Sequence, residues 1–310
     1  MTRPVVAIGI FDGVHRGHQA ILARAVSRAR AIRTIPMALT FNPHPATVVA
    51  PQHAPTPLLS LDQRLAAFAR CGIHRTVVLR FTRAFSRWSP EQFVERVLVR
   101  RLHAREVVVG HDFGFGRGRS GTIGTLRMLG RRHGFRVHVV PPVRVGGVRI
   151  SSRIIRRGVE LGRLAVVRRY LGRLPTVVGP VVRGAGRGKR FGVPTANVRV
   201  TSGVLPPTGV YAVWAAWDGV VCGGVANLGW RPTVDRSRRR AGPPVLEVHL
   251  FHPRVPSLRG RMLAVAFGRR LRPERRFPSL EALAGQIYRD QVVARRWLRR
   301  QRPTRWMDAP

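Results

Sequence analysis

Hydrophobic and polar positions follow two different rhythms along the chain. In the first half, short β-branched runs (Val5 to Ile10, Met37 to Phe41, Thr76 to Leu79, Val107 to Val109 and Val137 to Val140) have the length and composition of buried strands. Between them, Gln19 to Ala31, Leu61 to Arg70, Pro90 to Leu102 and Thr125 to His133 carry apolar residues at helical spacing. Strand and helix in alternation predict a doubly wound parallel α/β sheet, whose ligands gather at the carboxyl ends of the strands. A helix from about Ser151 to Leu171, opened by the capping pair Ser151 and Ser152 and stopped by Gly172, is expected to close this half. The rhythm then changes. Thr176 to Val182, Val210 to Trp217, Val220 to Leu228, Val245 to Phe251 and Met262 to Phe267 are alternating runs separated by Gly and Pro, the pattern of an antiparallel barrel or sandwich. A last helix is predicted from about Leu280 to Arg300, and Arg236 to Arg240 read as an exposed loop. Two domains result, residues 1–172 and 173–310.

Composition narrows the function classes. At 44% hydrophobic residues the 310-residue chain can bury a core in either half. No apolar stretch approaches the ~18 residues that span a bilayer, and Val5 to Phe11 is too short for a signal sequence, so no membrane and a cytoplasmic address are expected. Cys71 and Cys222 stand far apart without neighbouring metal ligands, which predicts two buried, reduced thiols and no zinc site. A net charge of +42 suggests a polyanion partner, but it is spread evenly, +23 over residues 1–172 and +19 over 173–310. Every basic residue but Lys189 is Arg. No specific nucleic-acid partner is expected, only weak, salt-sensitive adhesion to RNA.

Two segments carry chemistry. The first, Phe11-Asp12-Gly13-Val14-His15-Arg16-Gly17-His18, follows the first strand and opens a helix. Glycines that permit close backbone approach, a helix N-terminus with orphan amides and two imidazoles three residues apart make a phosphate site. The second runs from Gly184 through Gly188 and Gly192 to Pro194-Thr195-Ala196-Asn197. Its glycines free the backbone to wrap phosphates, and a Thr hydroxyl with an Asn carbonyl can complete an oxygen shell for Mg²⁺. Further on, Glu247 is a lone acid in the apolar strand Val245 to Phe251, either functional or a salt-bridge partner for one of the many Arg residues.

The first segment resembles the signature of HxGH nucleotidyltransferases. The resemblance implies that His15 and His18 neutralise the triphosphate of ATP and that Gly9, Phe11, Gly13 and Gly17 bind ATP phosphates in the same turn. Ile150-Ser151-Ser152-Arg153-Ile154-Ile155-Arg156 resembles that superfamily's second motif, with Arg153 where Thr is usual, and would bring Ser151, Ser152 and Arg156 to the phosphates. Thr40 to Pro45 and Val109 to Gly116 are similar to segments of bacterial FAD synthetases, so Phe41, Pro43 and Pro45 would line the isoalloxazine pocket and Asp112 would lie near the phosphates. The Gly184 to Asn197 segment resembles the riboflavin kinase signature. By that likeness Thr195 and Asn197 hold Mg²⁺, Glu247 takes the proton of the riboflavin 5′-hydroxyl, and Arg272 belongs to the family's flavin-binding closing segment. Lys189 and Arg259 depart from the usual residues.

The resemblance runs from about Val5 to Leu298 and implies a bifunctional riboflavin kinase/FAD synthetase, an HxGH nucleotidyltransferase domain followed by an antiparallel riboflavin kinase barrel with a C-terminal helix. Riboflavin, FMN and ATP would be its partners and Mg²⁺ its cofactor, with weak self-association left open. An adenylyltransferase for another phosphorylated acceptor, or an RNA-binding protein with vestigial motifs, are the competing readings. The intact PTAN segment and Glu247 speak against both.

Overall fold

The computed structural model describes residues 3–184, 192–230, 244–252 and 255–301. Its chain divides into two compact units, residues 1–57 with 61–152, and residues 58–60 with 153–310.

In the first unit, strands β1 (Val5–Ile8), β2 (Pro36–Asn42), β3 (Arg75–Arg80), β4 (Glu106–Gly110) and β5 (Arg136–Val140) form one sheet in the order β3-β2-β1-β4-β5. All four pairings are parallel, with Val5 beside Pro36 on one side and Glu106 on the other. The helices are α1 (Arg16–Ala31), α2 (Pro45–Val49), α3 (Leu61–Arg70), α4 (Arg83–Ser86), α5 (Pro90–Phe93) and α6 (Ile123–His133). The helical stretch at α5 continues from Val94 to Arg101 with a wider, π-type winding. Every residue of β1 is buried, as expected of a central parallel strand covered on both faces. Because the strand order reverses between β1 and β4, a crevice opens at their carboxyl ends. Two short strands, β6 (Arg144–Val145) and β7 (Val148–Arg149), pair across Gly146 and Gly147, both at positive φ (+58° and +78°), a hairpin the periodicity did not predict.

The single helix expected over Ser151 to Leu171 is two, α7 (Ser152–Glu160) and α8 (Leu164–Leu171). Gly162, at φ +69°, takes the left-handed conformation that stops the first, and Gly172 caps the second in the same way. Of the two cysteines expected to be buried, Cys222 is and Cys71 is only half-buried; neither forms a disulfide.

The second unit is a closed antiparallel barrel. Its strands β8 (Thr176–Val182), β9 (Ala196–Val198), β10 (Gly209–Trp217), β11 (Val220–Gly229), β12 (Val245–Leu250) and β13 (Met262–Arg272) run in the order β10-β11-β12-β9-β8-β13 and close on themselves. Alternate residues point inward, Tyr211, Val213 and Ala215 from β10 meeting Ala226, Leu228, Leu246, Val248 and Phe267 in one core. Strand β9, three residues long, is too short to register as an alternating run. The final helix α9 (Leu280–Arg299) packs on β10, β11 and β13, with the Trp297 ring 2.3 Å from where a Cβ on Gly268 would stand. Among the described residues no helix is long and apolar enough to cross a membrane. Gly188, Lys189 and the Arg236 to Arg240 loop lie outside the described residues.

Candidate functional site

The first constellation occupies the crevice beyond β1. The chain turns there through positive φ at Phe11 (+53°), Gly13 (+83°) and Val14 (+38°). For a β-branched residue such as Val14 this is a strained position, held only because its surroundings determine it. The Phe11 ring folds back over the strand, so a Cβ on Gly9 would stand 3.0 Å from it, and a Cβ on Gly17 would stand 3.1 Å from the His15 ring. At either glycine a side chain would press on a ring of the turn, which would have to yield by a few tenths of an ångström.

His15 caps α1. Its Nδ1 accepts the backbone N–H of His18 at 3.3 Å, leaving Nε2 to carry the ring proton of the neutral imidazole. The two imidazoles stack with centroids 3.6 Å apart and 18° between planes, and the Phe11 ring meets His18 edge-on at 5.4 Å. The first turn of α1 holds no acidic residue, so no carboxylate of its own offsets the helix's positive end. The arrangement suits an anion. The Ser152 hydroxyl, at the start of α7, donates to the Asp12 carbonyl at 2.7 Å, joining the two motifs that sequence alone left apart. Ser151 is half-buried beside it, and Arg156 stands half-buried one turn along α7.

Beyond β2, Phe41 is half-buried against Phe81 and Phe85, with ring centroids 5.9 and 6.0 Å away. Pro43 is exposed, and Pro45 opens α2, whose first amides are capped by His44. Beyond β4, a cavity of about 420 Å³ is lined by His111, Asp112, Phe113, Arg119 and Thr122. His111 Nε2 is buried there with no hydrogen-bond partner among the described residues. The Asp112 carboxylate is exposed and engaged by Arg149 at 2.7 Å.

The second constellation lies on the outer face of the barrel. In the strand register Asn197 of β9 stands opposite Glu247 of β12, and Glu247 opposite Asn227 of β11. Core residues Val198, Leu246 and Leu228 alternate with these three, so their side chains share the face turned away from the core. Asn197 is 6% exposed, and its carboxamide fills the place of a side chain on Gly184, where a Cβ would stand 2.1 Å from Nδ2. Thr195 is half-buried just before β9, and Gly192 turns at φ +66°. Next along β12, His249 hydrogen-bonds the Pro194 carbonyl at 2.9 Å and so ties the PTAN turn to the strand of Glu247. Among the described residues no ion pair or side-chain hydrogen bond is recorded for the Glu247 carboxylate. Arg272, at the end of β13, is held by the buried Asp290 of α9 at 2.9 Å and lies over the Phe277 ring.

Asn197, opposite Glu247 in the register, and Thr195, two residues before it, carry neutral oxygens that with the carboxylate make a hard-donor set of the kind Mg²⁺ takes together with phosphate oxygens. Among the described residues no group of three His, Cys, Asp or Glu gathers to hold a metal without such phosphates.

Arg64, Thr40, Asn227 and His249 belong to these two constellations and were not singled out by sequence. The signals existed. Arg64 is a cation on the buried face of α3, and Asn227 and His249 are polar residues in alternating strands, as Glu247 is.

Away from both sites, at the amino end of β4, buried Glu106 accepts two hydrogen bonds from Arg28, each 2.8 Å, and pairs with His138 at 2.8 Å. The Arg28 hydrogen bond holds its carboxyl below the usual range against the opposing effect of burial, and His138 adds to the lowering. Burial pushes the Cys222 thiol up to about 11, so it is protonated and unreactive at neutral pH.

Comparison with known proteins fits this geometry. The family model of FAD synthetases matches residues 1–154, and that of riboflavin kinases matches residues 171–298. With the parallel sheet and closed barrel, the two matches define a two-domain flavin-nucleotide transferase. The chain belongs to the bifunctional riboflavin kinase/FMN adenylyltransferase family. The enzyme of that name from Escherichia coli (strain K12) is 38% identical over 94% of this chain and 91% of its own length. Its counterpart from Pseudomonas fluorescens is 39% identical over 94% and 92%. A crystal structure titled macrolide-efflux protein, from Streptococcus pneumoniae, superposes with a TM-score of 0.84 at 28% identity, covering 96% of this chain and 95% of that one. Efflux is said of that protein alone.

Proposed function

We propose that the chain phosphorylates riboflavin to FMN with ATP on the barrel and adenylylates FMN to FAD, releasing pyrophosphate, at the carboxyl edge of the sheet. The family membership supports both reactions, and the residue roles rest on the two constellations. In the barrel, the riboflavin 5′-hydroxyl attacks the γ-phosphorus of ATP, its proton passes to the Glu247 carboxylate, and ADP leaves. Thr195 and Asn197 would hold Mg²⁺, which when bound neutralises phosphate charge. Gly184, Gly188 and Gly192 let the backbone approach those phosphates, and Arg272 binds the flavin side. The observation that carries this half is the cross-strand row Asn197, Glu247, Asn227, assembled from three separate sequence segments.

In the sheet unit, a phosphate oxygen of FMN attacks the α-phosphorus of ATP and pyrophosphate leaves. His15 and His18, with the amino end of α1, Ser151, Ser152 and Arg156, stabilise the charge that develops, so catalysis is positional and electrostatic. Phe41, Pro43 and Pro45 give the isoalloxazine an apolar wall, and Asp112 orients the phosphate groups. The cytoplasm is the proposed compartment. The activities are proposed to separate at the 172/173 junction. Incubating the protein with riboflavin, ATP and Mg²⁺ and resolving the flavins by chromatography should give FMN, then FAD. A fragment of residues 1–172 should convert FMN to FAD and leave riboflavin untouched. Accumulation of neither flavin would overturn the proposal.

A further inference from the structure

Arg64 is 6% exposed, and among the described residues its recorded hydrogen-bond partners include no carboxylate. Its guanidinium donates instead to the Ile10 carbonyl at 2.9 Å, to the Thr40 hydroxyl at 3.2 Å and, through both Nη atoms, to the Phe41 carbonyl at 3.3 and 3.4 Å. Thr40 is fully buried and donates its own hydroxyl to the same Ile10 carbonyl at 3.0 Å. Ile10 stands immediately before the His15/His18 turn, and Phe41 immediately before Asn42 and Pro43. One cation therefore holds the departure points of both turns. One helical turn further along α3, Phe68 packs edge-on against Phe11 at 5.3 Å, and Phe11 in turn meets His18.

Burying a guanidinium is costly, and an apolar side chain would fill the same volume without that cost. Burial pushes its pKa down while the nearby Asp12 opposes the shift, so the charge sits close behind the phosphate turn. We infer that Arg64 is a positioning residue for adenylylation, fixing the phosphate turn and the flavin-side turn relative to each other through the carbonyls of Ile10 and Phe41. This inference rests on the proposed role of those two turns.

The test measures FMN adenylylation in the full-length protein, with KM for ATP and for FMN determined separately, and riboflavin phosphorylation measured on the same preparation as a control. Arg64→Met keeps length and packing but removes all four hydrogen bonds. It should raise both KM values and lower kcat/KM for adenylylation at least 10-fold, while phosphorylation stays near its original rate. Arg64→Lys, which keeps the charge but reaches fewer acceptors, should recover part of the loss. Should Arg64→Met fail to fold, Thr40→Val removes only the bridging hydroxyl and should shift both KM values in the same direction by a smaller factor. A folded Arg64→Met, or in its absence Thr40→Val, with both KM values and kcat unchanged overturns the inference. So does a variant that loses thermal stability alone. A wild-type protein that makes no FAD from FMN and ATP overturns instead the reading on which the inference stands.

Discussion

The sheet site and the barrel site handle phosphates by different constructions. At the carboxyl edge of the sheet the backbone does much of the work. Phe11 and Val14 at positive φ, the imidazole cap on α1 and the carbonyls anchored by Arg64 and Thr40 hold the turn in a backbone conformation that such residues seldom adopt. On the barrel, ordinary antiparallel pairing brings Asn197, Glu247 and Asn227 side by side without strain in those strands. A strained turn is preorganised but intolerant of shape change. A register-built row accepts changes of chemistry at constant shape. Substitutions can therefore separate the two designs.

The largest effect is expected on the barrel. Glu247→Gln preserves shape and removes the only carboxylate in the row, so riboflavin phosphorylation should fall ~100- to 10,000-fold while FMN adenylylation and melting temperature stay near wild type. A mutant that keeps most of its kinase rate would show that another acid is the base. On the sheet, His18→Ala should lower FAD formation about 100-fold, on the order of 3 kcal/mol of transition-state stabilisation, and leave FMN formation running. Equal loss of both activities would mean that the two sites are not separate.

A smaller effect should follow from crowding the row. Gly184→Ala puts a methyl group 2.1 Å from the present Asn197 Nδ2 and must push that carboxamide aside. Kinase kcat/KM should drop roughly 10-fold, with adenylylation unaltered, since a displacement of about 1 Å at a positioned group is costly. Unchanged kinetics would mean that the Asn197 carboxamide makes no contact that matters.

The least effect on activity at neutral pH is expected from Glu106. Its folded-state pKa is depressed, first by Arg28, so the stability it contributes is fully present above the unfolded carboxyl pKa of about 4.3. That contribution is lost as pH falls through the folded value. The contribution of Glu106 to the melting temperature should be constant between about pH 7 and 5 and decline below about pH 4. Glu106→Gln should destabilise the sheet unit at neutral pH, because it removes the carboxylate that Arg28 and His138 share, and should flatten that acid limb. An unchanged acid limb in the mutant would assign the acid sensitivity to other carboxyls.

Much of this architecture was legible in the amino-acid sequence. The alternation of β-branched runs with amphipathic helices was enough for a parallel sheet, because buried strands and surface helices have different hydrophobic periods. Turn chemistry was legible too: Gly13, Gly17 and two imidazoles between a strand and a helix start have few other uses. The break at Gly162 was missed because one glycine inside a helical pattern is tolerated as often as it terminates. Strand β9 was missed because three residues carry no period.

What the sequence determined by itself was the set of local conformations and the two motif-bearing segments, since propensity, periodicity and turn chemistry act between residues close along the chain. The tertiary structure alone decided which distant residues meet. Ile10, Thr40, Phe41 and Arg64 converge on one guanidinium because strand order brings the ends of β1 and β2 together and α3 covers them. Asn197, Glu247 and Asn227 align because antiparallel register, which a one-residue slip would invert, turns all three to the same face. Register and strand order are set by packing of the whole core, and no local pattern encodes them.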